Sequence, residues 1–322
     1  MKIRAVTSHM HTADLLLIGF GSLLSLLNLI FFFRIPNWWL MILINVGVSL
    51  AIVLLAYLRH VTGWRSIRYI HDWYVAPTVF FTFKEIYFML SPIHQGKDYD
   101  DVLIAIDHWM FGVNPTEWIM RFSSPPLTEV LQIAYTLFYF MFLIVGYELY
   151  RRRDPDAFHQ FMFTCVYGFF LSYVGYFLFP AVGPRFTLHD FSALDRELPG
   201  VLLTPYLRWF VNAGESIPTD VSNAAAIAGA QRDVFPSGHT MLTLVLMSVS
   251  AKARLRVRWF MYITGGLLIV ATVYERYHYV IDVIAGVVFM VFCVRTAPAL
   301  YLKSKNYFHT LEYRFPPATP RA

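Results

Sequence analysis

Phe235-Pro-Ser-Gly-His-Thr240 is followed, after one apolar segment and a basic turn, by Tyr277-His-Tyr-Val-Ile-Asp-Val-Ile-Ala-Gly286. The rest of the chain reads as scaffold around these two stretches, and each opens an apolar run. In the first, Pro236 precedes Ser237, a good N-cap, and Gly238 has no side chain to block a ligand from the backbone. Unpaired N–H groups and the positive end of a helix dipole therefore collect beside His239, a place suited to a phosphate. In the second, His278 and Asp282 are four residues apart and share one face of a helix, so the carboxylate can hold one imidazole nitrogen. That pairing fixes the tautomer and leaves the other nitrogen free to attack, which makes His278 a histidine nucleophile.

Working outward, the composition is 57% hydrophobic, 18% aromatic and only 15% charged, far from soluble usage. The expected fold is all-α, a polytopic membrane bundle of about eight transmembrane helices. The apolar runs cover residues 15–33, 40–58, 74–90, 127–147, 161–179, 236–251, 259–274 and 277–294. The first is too long for a cleaved signal peptide and is read as a retained span. Trp38 and Trp39 serve as interfacial anchors. Cys165 and Cys293 both lie inside apolar runs, which supports neither a disulfide framework nor a thiolate metal site.

The net charge of +5 does not indicate nucleic acid, because the basic residues cluster at the ends of apolar runs. The clusters are Lys2/Arg4, Arg59/Arg65/Arg68, Arg151 to Arg153, Lys252/Arg254/Arg256/Arg258 and Lys303/Lys305. With about eight spans they all fall on one side, which the positive-inside rule makes cytoplasmic, with both termini. Arg185, Arg232, His239 and His278 then meet on the opposite, exoplasmic side.

The domain organisation follows: N-terminal transmembrane helices over 1–95, an exoplasmic interfacial segment over 96–126, a catalytic core over 127–302 and a cytoplasmic tail over 303–322. The interfacial segment is acidic, with Asp98, Asp100, Asp101, Asp107 and Glu117, and its amphipathic part, 102–111, is expected on the membrane surface. The long connection 181–235 is expected to be a lid, with an interfacial helix near Pro205 to Phe210. Lys84 and Glu85 lie within a span, and such a pair either faces a polar cavity such as a substrate pocket, or is a structural ion pair or a span end close to the interface.

Pro236 to His239 and the His278/Asp282 pair resemble the second and third parts of the signature of the phosphatidic acid phosphatase type 2 superfamily, over roughly residues 176–286. The resemblance implies a six-helix core, a phosphohistidine intermediate and no cofactor or metal. The first part departs from the family pattern: Leu178 replaces a lysine, and Gly183-Pro184-Arg185 keeps one arginine. Thr272 stands where an arginine of the third part is expected. These losses resemble the inositol phosphorylceramide synthase and sphingomyelin synthase branch.

The resemblance thus implies a membrane lipid substrate, carrying a phosphate ester or pyrophosphate, whose headgroup is transferred to an alcohol such as inositol, ceramide or diacylglycerol, or hydrolysed by water. His278 attacks phosphorus, Asp282 orients it, and His239 protonates the leaving oxygen. Arg185 and Arg232 neutralise the equatorial oxygens, with Ser237 and Gly238 beside the phosphate. Arg276 either replaces the missing arginine or forms a solvated ion pair with Glu275. Two rival readings remain: a divalent ion on His239, His278 and Asp282, and a transporter built around Lys84/Glu85. Chelator sensitivity decides the first. The second meets no internal repeat of the kind transporters show.

Overall fold

The computed structural model describes residues 10–217 and 221–314, with side chains through Tyr307. Lys2, Arg4 and the end of the tail lie outside the described residues. Every apolar run folds as helix, and no strand occurs among the described residues. In chain order the main elements are α1 (Thr12–Ile30), α2 (Trp38–Thr62), α3 (Arg65–Trp73), α4 (Val75–His94) and α5 (Asp100–Phe111). Then come α6 (Pro125–Thr136), α7 (Phe138–Arg151), α8 (Pro155–Leu178) and α9 (Thr204–Glu215), followed by α10 (Gly238–Lys252), α11 (Arg258–Tyr274) and α12 (Val280–Arg314).

The expectation of about eight crossings is met in helices but not in crossing length. Four helices, α1, α2, α8 and the Val280–Tyr307 part of α12, are long and apolar enough to span. The pair α6 and α7, bent by 50°, makes a fifth if counted as one. By contrast α10 has 15 residues and α11 has 17. At about 1.5 Å per residue they fall short of a hydrocarbon core of roughly 30 Å.

The chain divides into two compact units. The first draws on Met1–Met89, Pro155–Phe170 and Cys293–Ala322; the second on Leu90–Asp154 and Leu171–Phe292. Within the first, Glu85 is buried and accepts hydrogen bonds from Asn45 Nδ2 at 2.8 Å and Asn28 Nδ2 at 3.1 Å. Lys84 instead lies beside the ring of Phe80, 5.6 Å from its centroid. The structural ion-pair reading of Lys84/Glu85 is therefore corrected: adjacent helical residues point apart, and two asparagines hold the carboxylate.

In the second unit α9 turns the usual amphipathic rule inside out. On α9 the residues Thr204, Arg208, Val211, Asn212 and Glu215 are buried, at spacings that mark one helix face. Tyr206 and Trp209 on the other side are 71% and 60% exposed. On α5 Asp100, Leu103 and Asp107 are buried while Trp109 is 84% exposed. On α9 both charged side chains are thus turned inward and the large aromatics outward, whereas α5 buries Asp100 and Asp107 but leaves Asp101 exposed.

Candidate active site

Helix α10 starts as its sequence predicts. Ser237 is the N-cap, and its Oγ accepts from the Thr240 N–H at 3.2 Å. The Ser237 N–H donates to the Asp282 carbonyl at 3.0 Å, which ties the two motifs together through backbone. The close approach depends on Gly286, where a Cβ would stand 2.7 Å from the Ser237 carbonyl oxygen. Gly238 serves packing rather than an open approach for ligand, since a Cβ there would stand 2.5 Å from the Tyr176 hydroxyl.

The second motif differs from expectation in one respect. Helix α12 begins at Val280, so His278 lies in the turn ahead of it and not in its first helical turn. That turn hangs from the end of α11: the N–H groups of Tyr277 and His278 both donate to the Thr272 carbonyl at 2.9 Å. His278 and Asp282 still meet, with His278 Nδ1 3.5 Å from Asp282 Oδ2. Asp282 Oδ2 also accepts from the Tyr279 N–H at 2.8 Å. Neither His278 Nδ1 nor Asp282 Oδ1 has a hydrogen-bond partner within protein.

Across from this pair stands His239, whose Nδ1 is 3.4 Å from His278 Nε2. The two rings meet edge to face at 5.6 Å between centroids. His239 is held by the bend between α6 and α7: Tyr135 stacks on it at 4.8 Å and Phe138 lies 4.4 Å away. Burial, and next the neighbouring His239, keep the His278 imidazole well below the usual histidine range. It therefore stands neutral, the form that can act as a nucleophile.

The arginines arrive through the connection between α8 and α10. Arg185 is buried and pairs with Glu215 of α9. Its guanidinium lies over the Tyr277 ring at 4.8 Å, and Tyr277 in turn stacks on Tyr135 at 4.1 Å. Its backbone N–H donates to the Arg276 carbonyl at 2.9 Å, so the first-motif turn and the His278 turn are stitched together. Arg232 is engaged elsewhere, with Asp98 Oδ1 at 3.0 Å and the Ala230 carbonyl at 2.7 Å. Lys84 and Glu85 belong to the other unit.

The solvated Glu275–Arg276 pair is overturned. Both residues are buried, and each reaches a different partner: Glu275 Oε2 accepts from Arg208 of α9 at 2.8 Å, and Arg276 donates to Glu197 Oε2 at 2.6 Å. Glu197 and Arg208 both come from the long connection, so it is pinned to the turn that carries His278.

Several residues that hold the site were not singled out from sequence. Asp107 accepts from the Val280 and Ile281 N–H groups at 2.8 Å each and so caps α12 from a different helix. Asp100 accepts from the Val182 and Gly183 N–H groups at 3.0 and 2.8 Å and from the Tyr279 hydroxyl at 2.8 Å. Their seven-residue spacing, with Leu103 between, was the available signal of a shared buried face. Glu129 of α6 caps α9, taking N–H groups from Val201, Leu202, Leu203 and Thr204 at 2.5–3.2 Å.

These elements define a class: a helical, multi-span membrane protein with two imidazoles and a carboxylate gathered at adjoining helix starts. Residues 101–296 match the family model described as the PAP2 superfamily, well over half of the chain. The chain belongs to the PAP2 superfamily, and membership points to a phosphatase-type enzyme. A PA-phosphatase related-family protein of Dictyostelium discoideum is 26% identical over 200 residues, covering 56% of this chain and 33% of that protein. The aligned part is thus about a third of that relative's length. No solved structure matches the chain.

Proposed function

We propose that this protein is an integral-membrane phosphotransferase that moves the phosphate of a lipid headgroup through a phosphohistidine on His278. The observation that carries the reading is the 3.4 Å approach of His278 Nε2 to His239 Nδ1, with Asp282 behind the first ring. A phosphorus atom entering beside both rings meets a nucleophile and a proton donor together. His278 Nε2 forms the P–N bond while the P–O bond to the leaving group breaks, and His239, protonated as the anionic phosphate binds beside it, delivers that proton to the departing oxygen. In the second half the acceptor hydroxyl gives its proton back to His239, attacks phosphorus, and the P–N bond breaks.

Arg185 supplies positive charge that stays fixed through both steps. Arg232 has the same role once released from Asp98, and Ser237 and Gly238 hold the end of α10 beside the phosphate. The inverted face of α9 favours a site at the membrane interface, where a lipid headgroup and an alcohol acceptor both reach it. By the positive-inside rule that interface is exoplasmic.

Two acceptors remain in view, each with its own support. Leu178 and Thr272, in place of two cations, favour headgroup transfer of the inositol phosphorylceramide synthase kind. The name of the Dictyostelium relative, PA-phosphatase related, favours water as acceptor. The test gives purified protein a phosphate-labelled phospholipid with and without ceramide, inositol or diacylglycerol. Product that requires an acceptor supports transfer; free phosphate without one supports hydrolysis. Protein quenched with alkaline detergent, which preserves the acid-labile P–N bond, that carries no label on His278 under either condition would refute the covalent mechanism.

A further inference from the structure

A second cluster of metal-ligating side chains lies wholly within the first unit. His11 Nε2 is 3.2 Å from Asp72 Oδ1, and His159 Nε2 is 3.3 Å from the same oxygen. The three atoms lie within 4.8 Å of one another. They come from the N-cap of α1, from α3 and from α8, so tertiary packing has brought them together. Ligands that share a tetrahedral zinc at about 2.0–2.2 Å are separated by about 3.3–3.5 Å. Two imidazoles and one carboxylate are also the donor types that suit such a borderline divalent ion.

Hydrogen-bond bookkeeping supplies a second argument. Arg59 Nη1 stands 2.8 Å from His11 Nε2 and 2.8 Å from Asp72 Oδ1. Arginine can only donate. If His11 Nε2 carries a proton, it faces another donor in Arg59. If it is bare, its lone pair faces the Asp72 oxygen. No tautomer of His11 satisfies both contacts. A cation bound by the lone pairs of His11 Nε2, His159 Nε2 and Asp72 Oδ1 satisfies all three once Arg59 turns away. Arg59 ends α2 with its side chain 19% exposed, so it has a route out.

A second layer holds the ligands in place. His71 stacks on His11 at 4.4 Å, and its Nε2 meets Asp14 Oδ2 at 3.1 Å. Asp14 Oδ1 accepts from the Tyr74 hydroxyl at 2.5 Å. Asp14 Oδ2 also accepts from the His11 backbone N–H at 2.8 Å, so this layer holds His11 by stacking and through its backbone.

We infer that His11, Asp72 and His159 form a site for one zinc-like divalent ion, with Arg59 as the cation that occupies the same place when the metal is away. The site joins three helix ends and shares no residue with the proposed phosphoryl-transfer group.

The test uses full-length protein purified in detergent, stripped with chelator, then exposed to Zn2+ or Co2+. The expected result is one equivalent of zinc per chain that survives dialysis, a tetrahedral cobalt spectrum in the visible, and a melting temperature that rises with zinc concentration. Asp72→Asn and His159→Ala are expected to lose the bound equivalent. Arg59→Met is expected to bind at least tenfold more tightly, because it removes a competing cation. If the first two variants fail to fold, Arg59→Met decides by itself. Absence of stoichiometric zinc from both the parent protein and Arg59→Met, with an octahedral cobalt spectrum, overturns the site and leaves an Arg59–Asp72 ion pair.

Discussion

Each unit of this protein buries a cluster of imidazoles and carboxylates, and the two clusters differ in where their arginines point. In the second unit Arg185, Arg208 and Arg276 are drawn off by Glu215, Glu275 and Glu197. The two imidazoles are left to face each other at 3.4 Å, and two polar atoms beside them lack a protein hydrogen bond. In the first unit Arg59 donates straight into the cluster, and Asp72 takes one arginine and two histidines on a single oxygen. The same residue types therefore do different work. In the proposed readings the cluster whose cations are tied to other carboxylates receives a substrate anion, whereas the one entered by an arginine receives a cation in its place.

The comparison breaks most sharply at the two histidines proposed to be catalytic. His278→Ala should lower turnover by about four orders of magnitude or more, since no other group can form the P–N bond. His239→Ala should cost about 10^2–10^4-fold, the usual range for a proton donor. Steady-state rates on a labelled lipid phosphate measure both, and a His278→Ala enzyme with rates near the parent's would remove the assignment.

Next in size is the arginine that the catalytic unit has withdrawn. Glu275→Gln removes the buried one of the two carboxylates that hold Arg208 and leaves it only the exposed Asp195, a loss that should cost up to about 3 kcal/mol. The melting temperature should fall steeply, while Arg208→Met combined with Glu275→Gln should recover most of the loss. A double mutant no better than the single one would show that the pair is not coupled.

A smaller effect is expected at the cap. Asp107→Ala removes the acceptor for the Val280 and Ile281 N–H groups, which should cost about 1 kcal/mol or somewhat more. Hydrogen exchange should quicken at those two amides before it does elsewhere in α12.

The smallest effect concerns pH. His189 lies in the long connection against Thr116 Oγ1 at 3.2 Å, and burial, then Arg276, lowers its pKa to about 4. Because its folded value lies below the ordinary 6.5, the unfolded chain takes up the proton first as pH falls. The contribution is therefore fully present above about 6.5 and is lost as pH falls toward about 4. Proteolysis of the connection should increase slightly over that window, and His189→Gln should flatten the response.

Much of the site was legible because it is local. A serine before a glycine and an apolar run is an N-cap wherever the chain goes, and four-residue spacing brought His278 and Asp282 together even though the helix starts two residues after the histidine. The lid expectation also pointed to a helix near Pro205 to Phe210, where α9 stands. Charge was harder to read. Glu275 beside Arg276 looked like a solvated pair because neighbours in sequence were assumed to be neighbours in space, yet each reaches a residue 67 or 79 positions away. Asp107 looked like an interfacial acid, and its purpose appears only once α12 begins 173 residues later. The polar face of α9 was misleading for a related reason: the side turned inward carries both its charges, Arg208 and Glu215.

What this sequence determined alone is the set of things that depend on near neighbours: an all-helical membrane chain, a helix start at Ser237, and a histidine with a carboxylate beside it at His278 and Asp282. Tertiary structure decided which cation meets which anion. Ion pairs and caps in a buried environment depend on distances of a few ångströms between segments far apart in the chain, and composition and spacing carry no record of those distances.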